Sequence, residues 1–317
     1  MVDETDRAIF GSPQGDIGYE PTYSGATSLF RRPYSRDLKG IDITTWGVPF
    51  DLSVTNRPGC RLGPRGIRAA STNLAWDGGP WPWGFDPFKT LSMVDYGDCS
   101  FDPGFPQNVL EEVHAQAKAI LASGTFLLTM GGDHSVTYPI LRAQAERHGP
   151  ISLIQIDAHC DTWEESPKRI DHGSMFYHAA KEGVLAPESS IQVGLRTMND
   201  KTHGFNILDA DWVHENGIAA TVAKIKEVVG DAPAYLTFDV DALDPAFAPG
   251  TGTPVCGGLS TYQGQSLIRK LGGVNLIGAD LVEVSPPFDH AEITALAGAS
   301  LLMDMVCLLA SNKQKSA

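Results

Sequence analysis

The chain has 317 residues, enough for one large α/β domain or two small ones, and 42% apolar with 20% charged residues is an ordinary globular composition. A formal net charge of -14 excludes a nucleic-acid surface, which needs clustered Lys and Arg, and suits a small cationic ligand better. Cys60, Cys99, Cys160, Cys256 and Cys307 form no C-x-x-C pair and an odd set, which points to a reducing compartment rather than a disulfide framework or zinc knuckle.

Residues 1–38 are rich in Gly, Ser, Pro, Tyr and Arg without a sustained apolar period, and read as an N-terminal arm packed on the main body or on a neighbouring subunit. Residues 39–317 read as a single domain with one core. The opening MVDETDRAIF has no basic, apolar leader pattern, and no run of about 18 uninterrupted apolar residues follows. A cytoplasmic protein without a membrane span is therefore expected. Short apolar runs predict strands at Ile41–Gly47, Leu91–Tyr96, Thr125–Met130, Ile151–Ile156, Ile191–Leu195, Ala234–Val240 and Val274–Asp280. Between them, helical patterns lie at about 106–123, 135–148, 173–182, 217–229, 262–271 and 292–310. This alternation predicts an α/β fold, a mostly parallel sheet with helices on both sides. Such sheets bind ligands beyond the carboxyl ends of their strands, so a site should draw on residues just after several distant strands.

Three segments meet that condition. Gly131-Gly132-Asp133-His134 follows Thr125–Met130, and Asp157-Ala158-His159-Cys160-Asp161 follows Ile151–Ile156. Asp239-Val240-Asp241-Ala242-Leu243-Asp244-Pro245 closes the strand that starts at Ala234. In extended chain Asp157, His159 and Asp161 share one face at about 6–7 Å spacing, near enough to bracket two metal ions about 3.5–4 Å apart. Asp239 and Asp241 repeat that pattern, and with His134 the set offers two imidazoles and four carboxylates. Oxygen-rich ligation with histidine favours Mn2+ over thiolate-bound zinc, and alternation turns Cys160 away. Without a cation, carboxylates that close would repel one another or bind protons. Singly, the residues have plainer readings. Asp133 is a helix N-cap or an acceptor for a metal-bound histidine, and His134 and His159 are structural histidines. Asp244, before Pro245, is a turn residue or a partner of a ligand. Jointly, D-x-H-x-D and D-x-D after separate strands outweigh those readings.

These residues resemble the ureohydrolase family, which includes arginase, agmatinase, guanidinobutyrase, proclavaminate amidinohydrolase and formiminoglutamase. The resemblance rests on GGDHS (131–135), DAHCD (157–161), FDVDALDPAFAPGTGTP (238–254) and GADLVEVSPPFD (278–289), and covers about residues 40–310. It implies a three-layer α/β/α sandwich, two Mn2+ per subunit and a homo-oligomer, trimeric or hexameric. It further implies that His134, Asp157, Asp161 and Asp239 bind one Mn2+ and that Asp157, His159, Asp239 and Asp241 bind the other. Glu283, in V-E-V-S-P, resembles the family carboxylate that holds the substrate guanidinium, and His172, in DHGSMFY, resembles its proton-shuttling histidine. Read alone, Glu283 is a salt-bridged strand-end residue and His172 a surface histidine. In the implied reaction a metal-bridging hydroxide attacks a guanidinium oriented by Glu283, and His172 protonates the departing amine.

STNLAW (71–76), DHGSMFYHAAKEG (171–183) and VGLRT (193–197) are most similar to the bacterial agmatinase branch. Arginases carry Asn and Ser/Thr for an α-carboxylate where this chain has Thr162-Trp163-Glu164-Glu165-Ser166-Pro167, whose aromatic ring and acids suit a terminally cationic substrate. Agmatine, split to putrescine and urea in polyamine biosynthesis, is the first choice of small guanidino substrate. Arg57, Arg61 and Arg65 near the expected mouth keep a guanidino acid, 4-guanidinobutyrate or 3-guanidinopropionate, as the alternative. A deacetylase-like amidohydrolase would use one zinc and lack the second D-x-D carboxylate and the V-E-V string. A catalytically silent assembly or regulatory subunit would carry degraded ligand positions, and none of the six is degraded.

Overall fold

Among the described residues eight strands form: β1 Ile43–Val48, β2 Met93–Asp98, β3 Phe126–Gly131, β4 Ser152–Ile156, β5 Ile191–Leu195, β6 Asn206–Asp209, β7 Ala234–Asp239 and β8 Leu276–Val282. The helices are α1 Gly63–Ala70, α2 Val109–Leu121, α3 Thr137–His148, α4 Met175–Lys181, α5 Ala210–Val229, α6 Thr261–Lys270 and α7 Ile293–Ser316. These come from a computed structural model that describes residues 21–76, 78–166, 169–198 and 200–316. The strands pair in the order β2-β1-β3-β8-β7-β4-β5-β6, all parallel, so every carboxyl end lies along one edge.

Alternate strand residues feed two cores. On one face Met130, Ile156, Leu236 and Phe238 pack with Val222 of α5, Leu267 of α6 and Leu302 of α7. On the other, Leu127, Leu153 and Tyr235 pack with Val113 of α2, Leu141 of α3 and Phe176 of α4. The architecture is thus a three-layer α/β/α sandwich. α7 is long and apolar enough to cross a membrane by length and composition, but 78% of its most apolar window is buried inside this fold. There Ala299, Leu302, Val306 and Ala310 close the core.

The expected strands shift by no more than two residues at either end. Two elements had no expectation. β6 is a four-residue edge strand, too short for a period. α1 opens on Gly63-Pro64 and contains Gly66, so its propensity hides it. α5 starts at Ala210 rather than 217, because Asp209 caps it through Trp212 N at 2.8 Å. Gly217, at φ 77°, then breaks it where the helical pattern was expected to begin.

Of the N-terminal arm, residues 1–20 lie outside the described residues. Beyond them Leu29 and Phe30 are buried in the same core as Met93. The Leu29 amide donates to Asp95 Oδ2 at 2.8 Å, and Arg68 of α1 grips Asp95 through Nε at 2.7 Å and Nη2 at 2.9 Å. Its Nη1 reaches Asp98 Oδ1 at 2.7 Å. One carboxylate therefore ties the arm, α1 and β2 together. Asp95→Ala should leave the Arg68 guanidinium buried beside Asp98 alone and cost about 3–5 kcal/mol of unfolding free energy, read from the denaturant midpoint.

Candidate metal centre

β3, β8, β7 and β4 are consecutive neighbours in the middle of the sheet, so segments far apart in sequence end side by side, about 4.8 Å from strand to strand. After β3, Asp133 caps the tight turn His134–Val136, accepting from the Ser135 amide at 3.0 Å and from the Ser135 hydroxyl, while its other oxygen accepts from the Ser53 amide at 3.0 Å. Of its two readings, the cap is the one seen. The turn aims His134 back over the strand ends. His134 Nε2 meets Thr237 Oγ1 at 2.7 Å. His134 Nδ1 faces Asp161 Oδ2 at 2.8 Å, Asp157 Oδ2 at 3.2 Å and Asp239 Oδ2 at 3.3 Å.

The residues after β4 converge, but not by strand alternation. The strand stops at Ile156, and Asp157 Oδ1 accepts from the amide of His159 at 2.7 Å, folding 157–161 into a turn. Gln155 Nε2 braces that turn at Asp157 Oδ2 (2.8 Å) and at the His159 carbonyl (3.1 Å). Asp161 sits at φ 52°, a left-handed conformation costing a non-glycine residue about 1–2 kcal/mol. Its carbonyl is held by the Phe176 amide of α4 at 3.1 Å.

After β7 the same correction applies. Asp239 caps the short turn Val240–Ala242 by accepting from the Asp241 amide at 2.8 Å, so D-x-D is a capped turn rather than extended strand. Asp241 Oδ2 lies 3.1 Å from His159 Nδ1 and accepts from Thr253 Oγ1 at 3.2 Å, while its Oδ1 accepts from the Ala158 amide at 3.2 Å.

Among the described residues two groups able to hold a cation result: His134, Asp157 and Asp239, and Asp157, His159 and Asp241, with the ligand atoms of each within 4.8 Å of one another. Asp157 belongs to both. Asp161 joins the first through its contact with His134. The donor set fits a divalent cation on one decisive point: His134 Nδ1 is buried and makes no hydrogen bond, although three carboxylates surround it. A buried nitrogen left so is costly unless something else takes its lone pair.

The electrostatics agree. Burial, and then the Asp157 charge, pushes Asp161 up to about 7. Burial, with Asp241 and Asp157, raises Asp239 well above the usual carboxylate range. Both imidazoles are raised despite burial, His134 by Asp157, Asp161 and Asp239, and His159 to about 12 by Asp241 and Asp157. The acids thus draw positive charge to their centre. A divalent cation supplies it to the same oxygens while leaving the imidazole nitrogens neutral, as ligation requires.

Glu283 follows β8 at φ 64° and is buried. Its Oε1 accepts from the His134 amide at 2.9 Å and faces His172 Nδ1 at 3.0 Å, and its Oε2 accepts from Cys60 Sγ at 2.9 Å. His172 is buried, not a surface histidine. Burial opposes charge on its ring, yet Glu283 pushes it up to about 9. Its Nε2 meets the Thr55 amide at 3.1 Å and the Thr55 hydroxyl at 2.8 Å, while Nδ1 carries its proton against Glu283.

A cavity of about 180 Å³ opens over these groups, lined by Thr55, His159, Asp161, Trp163, His172, Gly173, Asp239 and Thr253. The Trp163 indole covers Gly173, where a Cβ would fall 2.8 Å from its Cε3. Glu164 is taken by Lys201 at 2.9 Å and Glu165 by Arg169 at 3.3 Å, which leaves the aromatic ring rather than the acids at the mouth. None of Arg57, Arg61 and Arg65 lines the cavity: Arg61 binds Asp51 and Arg57 lies over the Phe288 ring at 5.3 Å. Thr55, Cys60, Thr237 and Thr253 had no expectation. Only Thr237, two residues before Asp239, and Thr253, in GTGTP, lie in or beside a recognisable string.

The chain matches the arginase family over residues 41–307. It is similar to an agmatinase from Chromobacterium violaceum, 55% identical over 317 residues that cover 98% of each chain. Among solved structures it is similar to a hypothetical agmatinase from Burkholderia thailandensis, at 52% identity and TM-score 0.93 with 98% of both chains covered. It is also similar to a proclavaminate amidino hydrolase from Streptomyces clavuligerus, at 34% identity and TM-score 0.88, covering 92% of this chain and 100% of that one.

Thr237→Val keeps the shape of the side chain but removes the partner of His134 Nε2. Divalent-ion affinity should fall about 10–100-fold, measured by metal titration of the stripped protein, with little change in the far-ultraviolet spectrum.

Proposed function

The chain belongs to the arginase family, and from that premise we propose that it is a binuclear manganese amidinohydrolase that splits agmatine into putrescine and urea. The observation that carries the reading is Asp157 shared between two cation-holding groups, with the buried Glu283–His172 pair beside them. His134, Asp157, Asp161 and Asp239 would hold one Mn2+, and Asp157, His159, Asp239 and Asp241 the other. Bound divalent ions supply Lewis-acid activation of water, lowering its pKa from about 15.7 towards neutrality.

The remaining chemistry belongs to side chains. A guanidinium is planar and resonance-stabilised, so it must be held in one orientation for its carbon to be attacked. Glu283 is the carboxylate that holds it, because among the described residues its Oε2 is engaged only by a thiol, a weak donor that a guanidinium N–H outcompetes. The amine leaves only once protonated, and His172, on the cavity wall and held protonated by the Glu283 carboxylate beside it, is the acid. Trp163 at the mouth suits the distal ammonium of agmatine by a cation–π contact. Among the described residues no arginine lines the cavity to meet the carboxylate of a guanidino acid.

Manganese-loaded protein should release urea and putrescine in equal amounts and show its highest kcat/KM on agmatine among agmatine, arginine, 4-guanidinobutyrate and 3-guanidinopropionate. A preference for a guanidino acid would overturn the substrate, and no urea from any of the four would overturn the reaction. His172→Asn should lower kcat about 100- to 10,000-fold with metal content unchanged. Trp163→Ala should cost agmatine about 2- to 30-fold in kcat/KM and leave 4-guanidinobutyrate nearly untouched.

A further inference from the structure

Arg196 stands just past β5, and its guanidinium enters the fold behind the acid cluster rather than the cavity in front of it. Among the described residues no carboxylate pairs with it. Its donors go to main-chain carbonyls instead. Nη2 reaches Asp241 O at 2.5 Å, Val255 O at 2.9 Å and Leu243 O at 3.4 Å, and Nη1 reaches Gly194 O at 3.1 Å and Ala242 O at 3.4 Å. Nε makes a second bond to Val255 O at 3.2 Å. Three successive carbonyls of the turn that carries Asp241 thus converge on one planar cation. The close approach needs Gly258, where a Cβ would fall 2.6 Å from Nη2. The main chain of the same arginine binds the other ligand loop, the Arg196 amide donating to Ala158 O at 3.0 Å. Ala158 in turn donates to Asp241 Oδ1 at 3.2 Å.

We infer that Arg196 is a positioning residue for the cation site formed by Asp157, His159 and Asp241. It clamps the turn carrying Asp241 onto the loop carrying His159, and it sets one fixed positive charge behind the gathered carboxylates. Only a guanidinium can do both, because lysine has the charge without the planar fan of donors. The site formed around His134 is braced separately, by Thr237 and Glu283, and gains less from this clamp. The inference rests on the reading of these residues as a metal centre.

Full-length Arg196→Lys and Arg196→Met would be stripped, titrated with Mn2+ and followed by metal counting and electron paramagnetic resonance. The expected result is a loss of about 10–100-fold in affinity at one site only. At limiting metal the spectrum should then change from a spin-coupled pair to isolated ions, with Arg196→Lys failing like Arg196→Met. Two ions bound with wild-type affinity in Arg196→Lys would overturn the inference, as would equal weakening of both sites. Should Arg196→Met not fold, the lysine variant alone decides. A wild-type chain that bound no Mn2+ would instead sink the metal-centre reading itself.

Discussion

Like charges gathered out of water repel, and Asp157, Asp161, Asp239 and Asp241 are each no more than 4% exposed. Isolated ionised carboxylates cost many kcal/mol to bury. The surroundings of this cluster are organised to offset that cost. Each turn that delivers an acid also delivers a main-chain amide to one: His159 N to Asp157, Asp241 N to Asp239, Ala158 N to Asp241. Gln155 and Thr253 add side-chain donors. These donors lessen the repulsion without cancelling it, since Asp161 and Asp239 still hold their protons more tightly than an ordinary carboxylate. What remains is a demand for positive charge at the centre, the property a divalent-ion site requires.

Topology makes such a cluster tolerable only at one place. A parallel sheet turns all its carboxyl ends to the same edge, and β8 lies between β3 and β7 although it is the last strand in the chain. Glu283 is therefore seated between His134 and the Asp239 turn. The α2–α4 layer closes the site from one side, with Phe176 edge-on to the His134 ring at 5.2 Å between centroids. Packed layers on both faces hold the strand ends, and the short capped turns beyond them hold the gathered acids and histidines.

Residue type and strand-end placement were legible in the sequence, since D-x-H-x-D and D-x-D follow short, mostly apolar runs of strand length. The local geometry was not. Alternation along an extended chain put Asp157, His159 and Asp161 on one face. In the fold a side-chain-to-amide bond bends the chain at Asp157, and Asp161 takes a left-handed conformation. That outcome depends on the Phe176 amide from α4, a contact with no local signature. Cys60 and Thr55 escaped for a related reason. They reach Glu283 and His172 across 223 and 117 residues of chain, and a lone thiol or hydroxyl in a loop announces nothing. The arginines went the other way. Their proximity along the chain suggested a basic mouth, but Asp51 and Phe288 claim two of them.

Glu283 joins the acid cluster to the cavity wall in a way that forbids treating them separately. One oxygen, Oε1, accepts from the main chain of His134 and faces the ring of His172. Any movement of that carboxylate towards a ligand in the cavity must therefore be felt at the residue that closes the first cation group. The same coupling runs outward, because His172 is pinned at its far nitrogen by Thr55 on the loop that also caps Asp133 through Ser53. Groups that share partners in this way lose their additivity. Removing Glu283 would therefore do more than vacate one carboxylate, since it would free the His134 amide and release the ring of His172. The strained φ of Glu283 fits this position, for a side chain serving three elements has little freedom to relax its own backbone.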